Sequence, residues 1–264
     1  MTEVRHFAAS IKDIYTLLAE AGNAIMDIYT APERHIQIKS DDSPVTSADI
    51  VSNAIITKGI QYLFSGIPVL SEEDYIPPYE ERKGWKYVWI LDPLDGTKGF
   101  IHKSGEFTIN LGLSLEGTVV AGCIYEPVTQ QMYFASKGNG AFHYQDDGDH
   151  KRLIVNEINR NTKGLKILSS KFHKDVRTQT FIESFDEPVI IEKGAAMKFV
   201  SIARGEADYY PKMSSIMEWD TAPGQIIIEE AGGMLVDAVN SQPLKYNKPD
   251  LHNPHFIASG KWTD

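Results

Sequence analysis

Residues 88–100 read Val-Trp-Ile-Leu-Asp-Pro-Leu-Asp-Gly-Thr-Lys-Gly-Phe, an apolar run that ends in two acids three positions apart. Val88, Trp89, Ile90 and Leu91 follow one another without polar alternation, the pattern of a strand buried on both faces. Asp92 and Asp95 stand at its C-terminal end, with Pro93 fixing the turn and Gly96 relaxing it. Like charges that close repel unless a cation sits between them, and carboxylate oxygens suit a hard ion such as Mg²⁺. Gly96 and Thr97 then lead toward a short helical stretch whose first N–H groups can cradle a phosphate. An Asp-Pro-x-Asp-Gly segment also makes an ordinary solvated β-turn. Strand, paired acids and Gly-Thr occurring together favour the metal site.

The chain around this stretch has 264 residues, 42% hydrophobic and 23% charged, enough for one large domain or two smaller lobes. A net charge of -10 argues against nucleic acid polymers and anionic membranes as partners, and an anionic substrate then needs local lysine, arginine or metal. The single cysteine, Cys123, excludes an internal disulfide and a cysteine-rich zinc site, and its apolar neighbours make it a packed thiol. Lys12 and Asp13 interrupt the first apolar stretch, so no signal peptide is expected. No apolar run approaches the roughly 18 residues of a membrane span. A cytoplasmic protein is the expectation, with peripheral attachment at the inner membrane as the alternative; oligomeric state leaves no signature.

Ile11, Ile14, Leu18, Ala21, Ile25 and Ile28 recur at helical steps and predict an amphipathic first helix. The segment 39–49, KSDDSPVTSAD, reads as a polar loop running into a second helix near Ser47, with Ile56, Ile60, Leu63 and Phe64 on its apolar face. Asp49 falls in that helix's first turn, where the dipole favours a carboxylate; capping explains it as well as chemistry does. Pro68 to Leu70 is a short strand that stops at Ser71-Glu72-Glu73-Asp74, a second strand end delivering acids. Residues 107–115, 119–125 and 132–135 read as an antiparallel meander turned at Glu116-Gly117 and Thr129-Gln130. Residues 146–150 read as a solvated turn, 153–155 as strand, and 156–164 as a lobe boundary. The expectation is an N-terminal α+β lobe over residues 1–160 carrying most of the acids, and an α/β lobe over 161–264. Trp219-Asp220-Thr221 opens a helix that ends at Gly232-Gly233, with Asp220 as its N-cap or as a third ligand-bearing turn.

Four motifs in order, SPVTSAD (43–49), SEED (71–74), DPLDGT (92–97) and WDTAPG (219–224), resemble the inositol monophosphatase superfamily of Mg²⁺-dependent, lithium-sensitive phosphomonoesterases. The resemblance implies an α+β fold, a layered αβαβα sandwich of the inositol monophosphatase / fructose-1,6-bisphosphatase type. Lys98 directly after DGT, GEFTINL (105–111), GAAMKF (194–199) and YPK (210–212) resemble its CysQ-type 3′(2′),5′-bisphosphate nucleotidase branch. Two positions depart from the family pattern: Phe172 stands where a second Ser is expected after Ser170-Lys171, and Pro223 replaces a usual Ala.

Carried over residue by residue, the resemblance implies two or three Mg²⁺ ions per site. Glu72, Asp92 and the Leu94 carbonyl would hold the first; Asp92, Asp95 and Asp220 the second; Glu73 would position a further hydrated ion. Thr97 and Asp49 would form a catalytic dyad, Asp49 accepting from the Thr97 hydroxyl as that hydroxyl draws a proton from the attacking water, with Glu72 also in the catalytic set. Gly96, Thr97, Gly194, Ala195 and Asp220 would contact substrate, and Lys98, Lys171, His173, Lys198 and Lys212 its distal part. Taken singly, each of these last reads as a surface lysine or a core histidine. The implied partner is a small-molecule phosphate ester, and the implied reaction is removal of the 3′-phosphate of 3′-phosphoadenosine 5′-phosphate to give AMP. The rival readings are an inositol monophosphatase or other sugar-phosphate phosphatase, a haloacid-dehalogenase-type phosphatase, whose acids are spaced two apart, and a non-catalytic metal or nucleotide sensor.

Overall fold

A computed structural model describes residues 2–31, 36–38, 44–144, 149–159, 162–171 and 175–263. Helix α1 (Thr2–Ala9), which the sequence reading does not anticipate, precedes α2 (Ile11–Thr30). Ile11, Ile14, Leu18, Ala21 and Ile25 are buried along α2, as their spacing predicts. Strands β1 (Ile36–Ile38) and β2 (Pro44–Thr46) pair antiparallel before α3 (Ser47–Leu63), so the expected polar loop ends in a strand; residues 39–43 lie outside the described residues. Then come β3 (Val69–Ser71), α4 (Tyr79–Arg82), β4 (Tyr87–Asp95) and α5 (Thr97–Ile101).

The meander continues past the three expected strands. β5 (Thr108–Leu115), β6 (Thr118–Glu126), β7 (Gln131–Ser136), β8 (Gly140–Tyr144) and β9 (His150–Arg152) pair in succession. With β3 parallel to β4 and every other pair antiparallel, they form a seven-stranded sheet. Two expectations are corrected here. His150 begins a strand rather than closing a turn, because it pairs with Tyr144. Residues 153–155 form no strand; Leu153 and Val155 instead bury their side chains beneath α7 and α8.

The remaining chain supplies β10 (Glu157–Ile158), β11 (Lys166–Ser170), α6 (Val176–Ile182), β12 (Val189–Lys193), α7 (Met197–Ala203) and β13 (Tyr209–Lys212). It ends with α8 (Glu218–Glu230), β14 (Met234–Asp237), β15 (Phe256–Ser259) and β16 (Lys261–Trp262). A five-stranded sheet runs β12-β11-β13-β15-β14, and β10 pairs with β16.

Alternation along β4 explains the stacking. Trp89 and Leu91 pack with Leu18, Ile25, Ile56 and Ile60 of α2 and α3. Val88 and Ile90 point the other way, into a cluster with Ala222, Ile226 and Ile227 of α8. That cluster also takes in Phe199 of α7 and Tyr210 and Phe256 of the second sheet. Outside that sheet, Ile182 of α6 packs with Ile167 and Tyr209. The order is therefore α2/α3, first sheet, α7/α8, second sheet, α6: an αβαβα sandwich, as the sequence motifs imply. A strand sandwiched between two helical layers must be apolar on both faces, which is why 88–91 shows no alternation. We propose that the division at 160/161 separates the two large sheets rather than cores, because one cluster spans both and β10 crosses it to pair with β16.

Helix α8 lies very close to the first sheet. A Cβ built on Gly112 would stand 2.8 Å from the Ala222 Cβ, and one on Gly122 would stand 2.9 Å from the Pro223 Cα. Pro223 sits inside α8 rather than at its start, with its ring against Gly122. Gly112→Val should therefore lift α8 and lower stability by about 1–3 kcal/mol. Thermal unfolding checks this; an unchanged melting temperature would mean the helix has room to spare.

Candidate active site

Residues three apart on a regular strand face opposite sides, yet Asp92 and Asp95 converge. The register supplies the reason: Asp92 lies opposite Asn110 and Asp95 opposite Thr108, so β4 advances three residues while β5 advances two. This one-residue bulge turns both carboxylates to the same side. The Asp92 Oδ1 accepts from the Leu94 N–H at 3.0 Å, and Asp95 accepts from Asn110 Nδ2 at 3.2 Å. Gly96 follows at φ 89° and caps α5; a Cβ there would meet the Glu106 carbonyl at 2.8 Å, so the turn requires glycine.

Asp220 comes from the far end of the chain. Of the two roles the sequence leaves open for it, it does not take the N-cap. The helix begins one turn earlier, Met217 is the cap, and Asp220 at N3 accepts the Met217 N–H at 2.8 Å. One ligand oxygen each from Asp92, Asp95 and Asp220 lies within 4.8 Å of the other two. Glu72 lines the same cavity.

Asp49 repeats the N3 device at the start of α3. Its Oδ2 accepts the Thr46 N–H at 2.8 Å and the Thr46 hydroxyl at 2.7 Å. Its Oδ1 faces the Thr97 hydroxyl at 3.5 Å. One oxygen of the carboxylate thus does the capping, which leaves the other facing Thr97. Ser52 donates to the Pro93 carbonyl at 2.8 Å, and Asn53 joins Ser71 and Asp74 at 2.7 Å each, which ties α3 to both acid-bearing strand ends.

Burial raises Asp92 well above its ordinary 3.8, with the charges of Glu72, Asp95 and Asp220 adding to it. Asp220 is raised well above the same value by burial, then by Asp95 and Glu72. Burial also raises Asp95, against the opposing charge of Lys198. A cation would relieve all of these penalties at once. The side-chain donors are carboxylates without sulfur or imidazole, the set preferred by Mg²⁺, Ca²⁺ and Mn²⁺. The residues present therefore fit Mg²⁺.

A cavity of about 600 Å³ opens above the acids. Leu94, Asp95, Gly96, Thr97, Lys98, Gly194, Ala195, Lys198, Lys212 and Asp220 all line it. Lys198 and Lys212 are not surface lysines: only 6% and 8% of each is exposed. The Lys198 ammonium donates to the Ala195 carbonyl at 2.6 Å and lies 5.4 Å from the Tyr210 ring centre. Burial pushes Lys198 down to about 8, although Asp95 and Asp220 hold it up. Lys171 is paired with Glu106 at 2.9 Å and is not part of the lining. His173 and Phe172 lie outside the described residues.

A family model described as the inositol monophosphatase family matches residues 5–263. The chain belongs to that family. A 3′(2′),5′-bisphosphate nucleotidase CysQ from Salmonella typhimurium is 37% identical over 248 residues, 93% of this chain and 98% of that one. The crystal structure of CysQ from Bacteroides thetaiotaomicron, at 36% identity, superposes with a TM-score of 0.81 and covers 92% of this chain and 94% of that one. An IMPase/NADP phosphatase solved with Mg²⁺ and phosphate shares the fold at a TM-score of 0.78 and 18% identity, covering 97% of this chain and 92% of its own. No described helix is long and apolar enough to cross a membrane.

Sequence reading missed Phe199, Tyr210, Ser170 and the segment 214–217 as cavity lining. Tyr210 and Phe199 were visible inside YPK and GAAMKF; nothing in the local pattern of 214–217 marks it.

A pH test follows from the raised acids. The folded protein holds the Asp92 proton more tightly than the unfolded chain, so ionisation costs stability once pH rises above about the ordinary 3.8. Below that value both states are protonated and the cost vanishes. In excess chelator, Asp92→Asn should therefore melt higher than the parent at pH 8, by about 2–4 °C for each kcal/mol relieved. The gain should shrink toward pH 4. Melting curves across pH check it; a variant that is less stable at pH 8 would contradict the repulsion.

Proposed function

We propose that this chain is a Mg²⁺-dependent 3′(2′),5′-bisphosphate nucleotidase that removes the 3′-phosphate of 3′-phosphoadenosine 5′-phosphate to give AMP and phosphate. The observation that carries the reading is a single cavity with a carboxylate cluster on one wall and two buried lysines on another. Relatives named for this activity, alike over nearly their whole length, support the substrate. A cytoplasmic setting belongs to the same proposal and rests on the one cysteine, which is buried and free.

Asp92, Asp95 and Asp220, with Glu72 and the Leu94 carbonyl, would hold the ions. Bound there, Mg²⁺ supplies an acidified water and charge stabilisation for the phosphoryl oxygens. The chain's own part is proton transfer and orientation. The attacking water gives its proton to Thr97 Oγ1, whose own proton passes to Asp49 Oδ1. Thr46, bonded to the other Asp49 oxygen, keeps that acceptor aimed. The amides of Gly96 and Thr97, in the open first turn of α5, face phosphate oxygens as charge develops. Lys198 and Lys212 provide the cations that a second phosphate needs in a chain of net charge -10, with Lys98 at the exposed rim.

Phosphate release compared on 3′-phosphoadenosine 5′-phosphate, inositol monophosphate and fructose bisphosphate tests the substrate. The bisphosphonucleotide should have the highest kcat/KM, with activity abolished by chelator and inhibited by Li⁺. Lys212→Met should raise KM for it by about tenfold while leaving a small monophosphate nearly unaffected. Equal losses on both would point to a damaged fold and remove the clamp role. Thr97→Ala should lower kcat by about 10²-fold or more. Asp49→Asn should do the same, and the double variant should cost far less than the product of the two. Multiplicative losses would exclude the dyad.

A further inference from the structure

At the start of α8, two residues before Asp220, Glu218 anchors a set of charges that substrate turnover does not use. Glu218, the first residue of α8, is fully buried at 0% exposure. Its carboxylate accepts the Asn247 N–H at 2.5 Å and the Lys248 N–H at 3.0 Å. It also accepts the Lys248 ammonium at 2.5 Å. The same ammonium donates to Asn253 Oδ1 at 3.1 Å and to the Lys245 carbonyl at 2.8 Å. Asn253 in turn donates to the Met217 carbonyl at 3.1 Å and to the Thr221 hydroxyl at 2.6 Å.

The backbone repeats the clamp. The Asn253 N–H donates to Ile216 at 2.7 Å, the Glu218 N–H donates to Leu251 at 2.9 Å, and Met217 bridges to His252. Met217 is the residue whose N–H holds the Asp220 carboxylate. The loop 247–253 is itself fastened to the first half of the chain by Arg82, which is 2% exposed. Arg82 donates to Asn247 Oδ1 at 2.8 Å and to the Lys248 and Pro249 carbonyls at 2.9 and 3.2 Å, and also to Pro77 at 2.9 Å in the loop that follows Glu72.

We propose that Glu218 and Lys248 are positioning residues: with Arg82 they make the loop 247–253, anchored by its buried Leu251 and Asn253, a bracket that sets where Asp220 stands relative to Asp92 and Asp95. The reason is mechanical. Asp220 is delivered by a different half of the chain from its two partners, and three mutually repelling acids push that turn outward. An ion pair between the fully buried Glu218 and the partly exposed Lys248, with every hydrogen bond satisfied, resists the push, and it tolerates little displacement because losing Lys248 leaves the buried carboxylate uncompensated. Outer residues that orient ligands commonly contribute 10–100-fold to metal affinity.

The inference rests on the Mg²⁺ reading, and calorimetric titration with Mg²⁺ alone, without substrate, separates the two. The parent, Glu218→Gln, Lys248→Met and Leu18→Ala are compared. Leu18 is buried in α2, on the opposite layer, and its truncation costs stability without touching the bracket. Lys248→Met should weaken Mg²⁺ binding about tenfold or more, with Glu218→Gln, which keeps an acceptor oxygen, losing less. Leu18→Ala should bind Mg²⁺ as the parent does despite a lower melting temperature. If Glu218→Gln does not fold, Lys248→Met decides. Parental Mg²⁺ affinity in Lys248→Met, with melting lowered as in Leu18→Ala, would make the pair purely structural and overturn the proposal. A parent that binds no Mg²⁺ would overturn the metal reading itself.

Discussion

Three carboxylates whose oxygens approach within 4.8 Å in a partly buried site repel one another and are costly to desolvate, and the fold has to hold them together. Two of its devices are local. A one-residue bulge in β4 brings Asp92 and Asp95 to the same side, and a glycine in the left-handed region lets the chain leave the strand at once. The third is remote, since α8 must carry Asp220 across from the other half of the chain. The glycines of β5 and β6 let that helix lie close enough to the first sheet to do so.

The acids at N3 of α3 and α8 show how a short motif can serve two ends. In each, one carboxylate oxygen satisfies the backbone N–H of the cap residue, an orphan donor in any helix. The backbone thus orients the carboxylate without an arginine, whose charge would compete with a metal ion. For Asp49 the remaining oxygen is aimed at Thr97. Capping does not exclude a second role at these positions; the cap is what gives the acid its direction.

Much of this was legible in the residues. The unbroken apolar run of 88–91 marks a strand between two helical layers, and the helical spacing of Ile11 to Ile28 marks the outer layer. The acid-bearing turns announced the cluster because strand ends and helix starts concentrate carboxylates at recognisable spacings. What was not legible depends on contacts distant in sequence. The bulge that makes Asp92 and Asp95 cofacial arises from pairing with β5, and no property of DPLD alone reveals it. Burial of Lys198 and Lys212 follows from the way α7 and β13 pack around the cavity, whereas an isolated lysine in a sequence reads as solvated. Asp220 stands at N3 rather than at the N-cap because the helix begins at Glu218, whose partner Lys248 lies 30 residues away.

These acids, drawn from two halves of the chain, would together hold a divalent cation. Crystals soaked in Mn²⁺, which shares the oxygen-ligand preference of Mg²⁺ and scatters anomalously, test it directly. Anomalous peaks should then appear bounded by the carboxylates of Asp92, Asp95 and Asp220, with at least one in reach of Glu72. Crystals that bind Mn²⁺ elsewhere on the protein while this cavity stays without a peak would contradict it.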